Sequence, residues 1–158
     1  MREFEREFTE TVTAGVPLDT LLDWSRSPES RLCWPGASDV RRQGSTLYFR
    51  LNMQAPGAPP ASGTMEEELW GVARSDGGDA TFKSQLQLTW PSGEVGSGEA
   101  GWAFRSDGDK TTLSFSIGYT IPKKFGVGRV NRDQFLHSID RALSLYIQRL
   151  AHGPQASS

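Results

Sequence analysis

The chain has 158 residues, a formal net charge of -2 at pH 7 and an isoelectric point near 5.7. That length suits one domain with a real core that needs no metal or disulfide staple, and the single Cys33 has no partner within the chain. With no basic block and no apolar run near the ~20 residues of a membrane span, neither nucleic-acid binding nor a membrane-crossing helix is expected.

The opening MREFEREF is charged and alternating, unlike a signal peptide, so a cytoplasmic protein is the expectation. Residues 3–13 place Phe4, Phe8 and Val12 on one face and Glu and Thr on the other, the pattern of a half-buried strand. Gly15 and Pro17 break it. A short helix follows through Leu18, Leu21, Leu22 and Trp24, then a second from Glu29 to Cys33, stopped by Trp34-Pro35-Gly36. From Asp39 strand signals return: Asp39 to Arg42, then Leu47 to Met53, then residues 63–75. Three more strands carry Phe82 to Trp90, Ala100 to Phe104, and Leu113 to Ile121. Gln43-Gly44, Asp76-Gly77-Gly78, Ser92-Gly93 and Asp107-Gly108 mark tight turns, while Ala55 to Ser62 and Lys123 to Val130 read as loops.

Asn131 to His152 is the longest periodic stretch. Phe135, Leu136, Ile139, Ala142, Leu143, Tyr146, Ile147 and Leu150 recur at spacings of three and four, so one face of a helix is apolar. Asn131 suits the N-cap, with Gln134 as its capping-box partner. Gly153-Pro154 predicts the stop, giving a domain over 1–153 and a frayed tail over 154–158. About 21 helical residues at ~1.5 Å each span ~32 Å, the width of a small domain. Such a helix must lie against the sheet.

A strand, two short helices, six strands joined by tight turns and a long C-terminal helix resemble the START/Bet v 1-like superfamily. VPLDTLLDW after the first strand and Trp34-Pro35-Gly36 before the second strengthen the resemblance, which covers residues 3–152. It implies an α+β helix-grip fold: a seven-stranded curved antiparallel sheet around the long helix, with two short helices after strand 1. It also implies a deep apolar cavity, bordered by Ala55 to Ser62, the Ser92-Gly93 turn and Lys123 to Val130.

The aromatic residues Phe49, Trp70, Trp90, Trp102, Phe104, Phe115, Tyr119 and Phe135, with Ile139 at the centre of the helix stripe, are the candidate ligand contacts. Each alone fits an ordinary core equally well. Arg6, Glu67 and Tyr119 share parity with apolar neighbours and are the candidate catalytic residues; a buried charge there needs a partner or a function. Ser84 and Arg132 share the same kind of position. His137 and His152 fall on the polar side of the helix. No metal-ligand spacing and no phosphate loop is present, so no cofactor or metal is expected, and of Glu66-Glu67-Glu68 only the outer pair shares a face.

The expected partner is a hydrophobic, aromatic or polycyclic small molecule. The Arg-rich composition and the resemblance point to bacterial secondary metabolism, of polyketide or enediyne type. Three roles stand open: a carrier or self-resistance protein that sequesters its ligand, a polyketide aromatase/cyclase, and a surface-acting regulatory or chaperone-like domain. The oligomeric state, monomer or weak dimer, is open as well.

Overall fold

The structure, a computed structural model, describes residues 5–53, 61–121 and 132–156. The elements follow in order: β1 (Arg6–Ala14), α1 (Leu18–Ser25), a 3-10 turn (Glu29–Cys33), β2 (Ala37–Gln43), β3 (Thr46–Met53), β4 (Ala61–Leu69), β5 (Ala73–Arg74), β6 (Ala80–Thr89), β7 (Val95–Asp107), β8 (Lys110–Thr120) and α2 (Arg132–Ala156). Most of the loop from Ala55 to Ser62, all of Lys123 to Val130, Phe4 and the proposed cap Asn131 lie outside the described residues.

All strand pairs are antiparallel, in the order β1-β8-β7-β6-β4-β3-β2. The edge strands β1 and β2 are joined through α1 and the 3-10 turn, and α2 packs on β1, α1 and that turn. Short turns allow this meander: Gly44, Gly78 and Gly108 have φ of +62°, +91° and +64°, which glycine adopts without a Cβ penalty. Inward and outward residues alternate strictly on β6, where Ala80, Phe82, Ser84 and Leu86 are buried.

Two expectations need correction. Residues 63–75 do not form one strand: the chain leaves the ladder after Leu69 and rejoins β6 as the two-residue β5, a short eighth strand beside the seven of the main path. Gly71, with no side chain to pack, sits in the break.

The second concerns the end of α2, which runs through Gly153 and Pro154 to Ala156. A proline inside a helix cannot donate to the carbonyl four residues back, here that of Leu150. The indole Nε1 of Trp24 supplies the donor instead, at 2.9 Å. Gly153 is needed for that approach, since a Cβ there would collide with the Trp24 ring. Gly153-Pro154 reads locally as a stop, and α1 overrides it.

Candidate functional site

Between sheet and helix the interior divides into a hollow part and a filled part. The hollow part is an apolar cavity of about 60 Å³. Leu51, Met65, Leu86, Leu88 and Ile117 reach it from the sheet, Ile139 and Leu143 from α2, and Trp34 and Trp90 close its sides. Gly96 and Gly98 on β7 contribute no side chain, which leaves the space open. Trp90 is positioned by the turn that follows it: its backbone N–H donates to the Glu94 carbonyl at 2.9 Å, and Gly93, with φ +91°, donates back to the Trp90 carbonyl at 2.8 Å.

The filled part begins two residues along β4. Glu67 points inward like Met65 and Leu69, yet it is 1% exposed, and it meets Arg31, which is fully buried. Arg31 Nε donates to Glu67 Oε1 at 2.6 Å and Nη2 to Oε2 at 3.1 Å, a bidentate fork. Nη1 donates to the Ser25 carbonyl at 2.6 Å and to Ser30 Oγ at 2.7 Å. The guanidinium lies 5.2 Å from the Trp102 ring centre. Burial alone would lower the Arg31 pKa; Glu67 outweighs it, so the net shift is upward and Arg31 keeps its charge. Tyr146, also fully buried, is held well above the ordinary tyrosine range by burial, against the opposing Arg31 charge.

A second polar group lies on the seam between β1 and α2. Arg6 Nε donates to Asp140 Oδ2 at 2.8 Å, and the Tyr119 hydroxyl donates to Asp140 Oδ1 at 2.9 Å. One turn further on, Ser144 Oγ donates to Glu10 Oε1 at 2.6 Å. Burial, then the bond to Asp140, raises the Tyr119 pKa well above its usual value. The Tyr119 ring borders the cavity while its hydroxyl is engaged outside it.

The candidate contacts therefore separate. Trp90, Tyr119 and Ile139 border the cavity, and Phe135 borders an outer groove beside Trp34. Phe49, Trp102, Phe104 and Phe115 are buried in the filled part instead. Trp102 stacks on Phe82 at 5.3 Å, meets Phe115 edge-on at 4.8 Å, and donates from Nε1 to Ser84 Oγ at 3.4 Å. Trp70 is on neither side of the interior. It follows β4, 41% exposed, with its carbonyl accepting from Arg26 Nη1 at 2.9 Å. Its even parity, opposite to Met65 and Leu69, directs it outward.

Of the candidate catalytic residues, Arg6 and Tyr119 share Asp140, whereas Glu67 is locked to Arg31. His137 and His152 are exposed, and Cys33 is half-buried, its thiol pKa pushed up by burial. Glu66 and Glu68 are exposed, and the Arg132 side chain lies outside the described residues. Among the described residues, no cluster of three or more His, Cys, Asp or Glu could hold a metal, and no helix is long and apolar enough to cross a membrane.

Sequence reasoning missed Trp34 and Arg31. Trp34 reads as a turn residue within Trp34-Pro35-Gly36. Arg31 sits in a five-residue 3-10 turn too short to show a period, and its only signal was the inward parity of Glu67, which demanded a cation somewhere.

No protein-family model and no curated protein matches the sequence. Solved structures do. The Zhui aromatase/cyclase from Streptomyces sp. R1128 aligns with a TM-score of 0.68 and 16% identity, over 95% of this chain and 93% of that one. TTHA0849 from Thermus thermophilus gives 0.65 and 18%, over 97% and 99%. A START superfamily protein from Mycobacterium smegmatis gives 0.65 and 15%, over 96% and 99%. At these identities the likeness is one of fold.

Proposed function

On the START/Bet v 1-like helix-grip fold of this chain, we propose that the protein binds a hydrophobic small molecule in the cavity between sheet and α2. The observation that carries this reading is the apolar cavity itself, kept open by Gly96 and Gly98 and flanked by Trp34 and Trp90. A folded interior is ordinarily filled to crystal-like density, so a space lined by large apolar side chains is a binding feature. At about 60 Å³ it falls short of the roughly 300–1,000 Å³ of drug-sized ligand pockets, so its walls must move to admit an aromatic or polycyclic guest.

The role favoured is a carrier or a sequestering, self-resistance protein of bacterial secondary metabolism. General acid–base chemistry needs a titratable group within hydrogen-bond reach of the substrate. Here Arg6 and the Tyr119 hydroxyl are both bonded to Asp140, and Arg6 Nη2 also lies 3.5 Å from His137 Nδ1. A second reading, a polyketide aromatase/cyclase, draws support from the fold similarity to the Streptomyces aromatase/cyclase and from the Tyr119 ring at the cavity wall.

Native mass spectrometry of protein purified from its own producing organism, followed by extraction, separates these. A polycyclic molecule released unchanged after incubation supports the carrier. Conversion to a cyclised product, lost in Tyr119→Phe, supports the cyclase. Protein that is empty and takes up no member of a polyketide panel refutes the cavity reading.

A further inference from the structure

Trp34 and Ile139 border two spaces at once. On one side lies the cavity of about 60 Å³, and on the other a groove of about 250 Å³ whose walls include Gly36, Asn52, Phe135, Ser138 and Ala142. We propose that the Trp34 side chain is a swinging partition between groove and cavity, and that the ligand loads from the groove past it. This rests on the binding reading above and specifies how that site is filled.

The indoles are anchored differently. Trp24 Nε1 donates to the Leu150 carbonyl and Trp102 Nε1 to Ser84 Oγ. Among the described residues the Trp34 indole makes no hydrogen bond. It is held by ring contacts, stacked on Tyr146 at 4.9 Å and tilted against Phe49 at 6.1 Å. Turning it therefore breaks no hydrogen bond and leaves no buried polar atom stranded.

The backbone beside it is built to give on one side and to hold on the other. Among the described residues β2 is an edge strand, paired with β3 alone, and its register slips between Ser38 and Arg41 where Asp39 has φ +54°. Gly36, with φ +87°, is pressed against the Asn52 carbonyl, and a Cβ there would collide with it. The loop is thus pinned at Gly36, so the indole can turn while the chain stays in place. With the partition aside, the two spaces join and reach the lower edge of the roughly 300–1,000 Å³ typical of ligand pockets.

The merged space is chemically polarised. Its inner end is apolar, and its outer end carries Asn52 and Ser138. The ligand this fits is amphipathic, with a flat apolar body inside and one polar end left in the groove. 1-Anilinonaphthalene-8-sulfonate has that form and serves as the probe.

Stopped-flow fluorescence on the full chain tests the partition. Trp34→Ala should raise the association rate about tenfold or more, as removal of a gate does, and the dissociation rate by at least as much, because a wall of the cavity goes with it. Trp34→Phe should fall between. Ala142→Trp, which fills the groove, should slow association about tenfold. If Trp34→Ala fails to fold, Ala142→Trp still decides. Uptake by the wild type with association within about twofold in Ala142→Trp and in the Trp34 variants overturns the gate and leaves the binding reading standing. No uptake by the wild type or by Trp34→Ala at millimolar probe overturns both.

Discussion

The same elements build two unlike interiors. β4 presents Met65 to the cavity and Glu67 to Arg31; α2 presents Ile139 and Leu143 to the cavity and, one or two turns on, Tyr146 and Leu150 to solid packing. In the filled part, rings interlock and a buried ion pair is satisfied by four hydrogen bonds from one guanidinium. In the hollow part, β7 offers Gly96 and Gly98 where side chains would have met. The difference shows a division of labour along the strands: one half fixes the fold, and the other is left incompletely packed for a guest. Stability and binding should therefore respond to mutation in different places.

The largest effect is expected at the ion pair. Glu67→Gln strands the Arg31 charge in the interior and should cost about 3–5 kcal/mol in urea unfolding. The double variant Arg31→Met/Glu67→Leu should recover most of that loss, because the pair must offset its own desolvation. A double variant as unstable as the single one would mean that the ion pair does more than fill its space.

Overpacking should distinguish the halves next. Leu113→Phe, in the filled half, should cost about 1–3 kcal/mol. Leu86→Phe, opposite Gly98 at the cavity, should cost less than about 1 kcal/mol and should expel ligand. Equal costs in thermal unfolding would break the comparison.

Alkaline pH reads the filled half through Tyr146, and the seam through Tyr119, whose pKa burial also raises. Buried Tyr146 keeps its proton when folded, while the unfolded chain loses it above the ordinary tyrosine value of 10.0. Its contribution is complete below about pH 10 and falls as pH rises, by up to about 1.4 kcal/mol per pH unit. Urea midpoints measured across that range should fall less steeply in Tyr146→Phe.

The smallest effect is expected at the β1–α2 seam. Asp140→Asn, at a partly exposed ion pair, should cost no more than about 1 kcal/mol. It also replaces the carboxylate that holds the Tyr119 hydroxyl with a neutral amide, whose NH2 group cannot accept from Arg6 while its oxygen accepts from Tyr119. If the variant gains cyclase turnover, engagement by Asp140 is what keeps Tyr119 silent.

How far the sequence revealed this division follows from range. The meander was legible because period-2 alternation and glycine turns are local signals, and α2 because its stripe recurs all the way from Phe135 to Leu150. The cavity lining was half legible: Ile139 and Tyr119 could be placed by period and parity. Which aromatics fill space and which border it depends on how strands curve against the helix, and no single strand encodes that. Trp70 reads as a pocket aromatic because it sits beside a strand, and its parity directs it outward, where it is 41% exposed. Arg31 and Trp34 were invisible because a 3-10 turn has no face pattern, and their roles come from Glu67 and Tyr146, far along the chain. The proline stop failed for the same reason, since its remedy lies in α1.

That remedy also ties the two ends of the chain together. The last turn of α2 depends on a donor 126 positions earlier, so it cannot be completed until α1 has docked. An opening that releases Trp24 removes the donor that replaces the missing proline N–H, and the helix end frays with it. α1 and the end of α2 thus form one opening unit, fastened at Leu150, two turns beyond the cavity-lining Leu143.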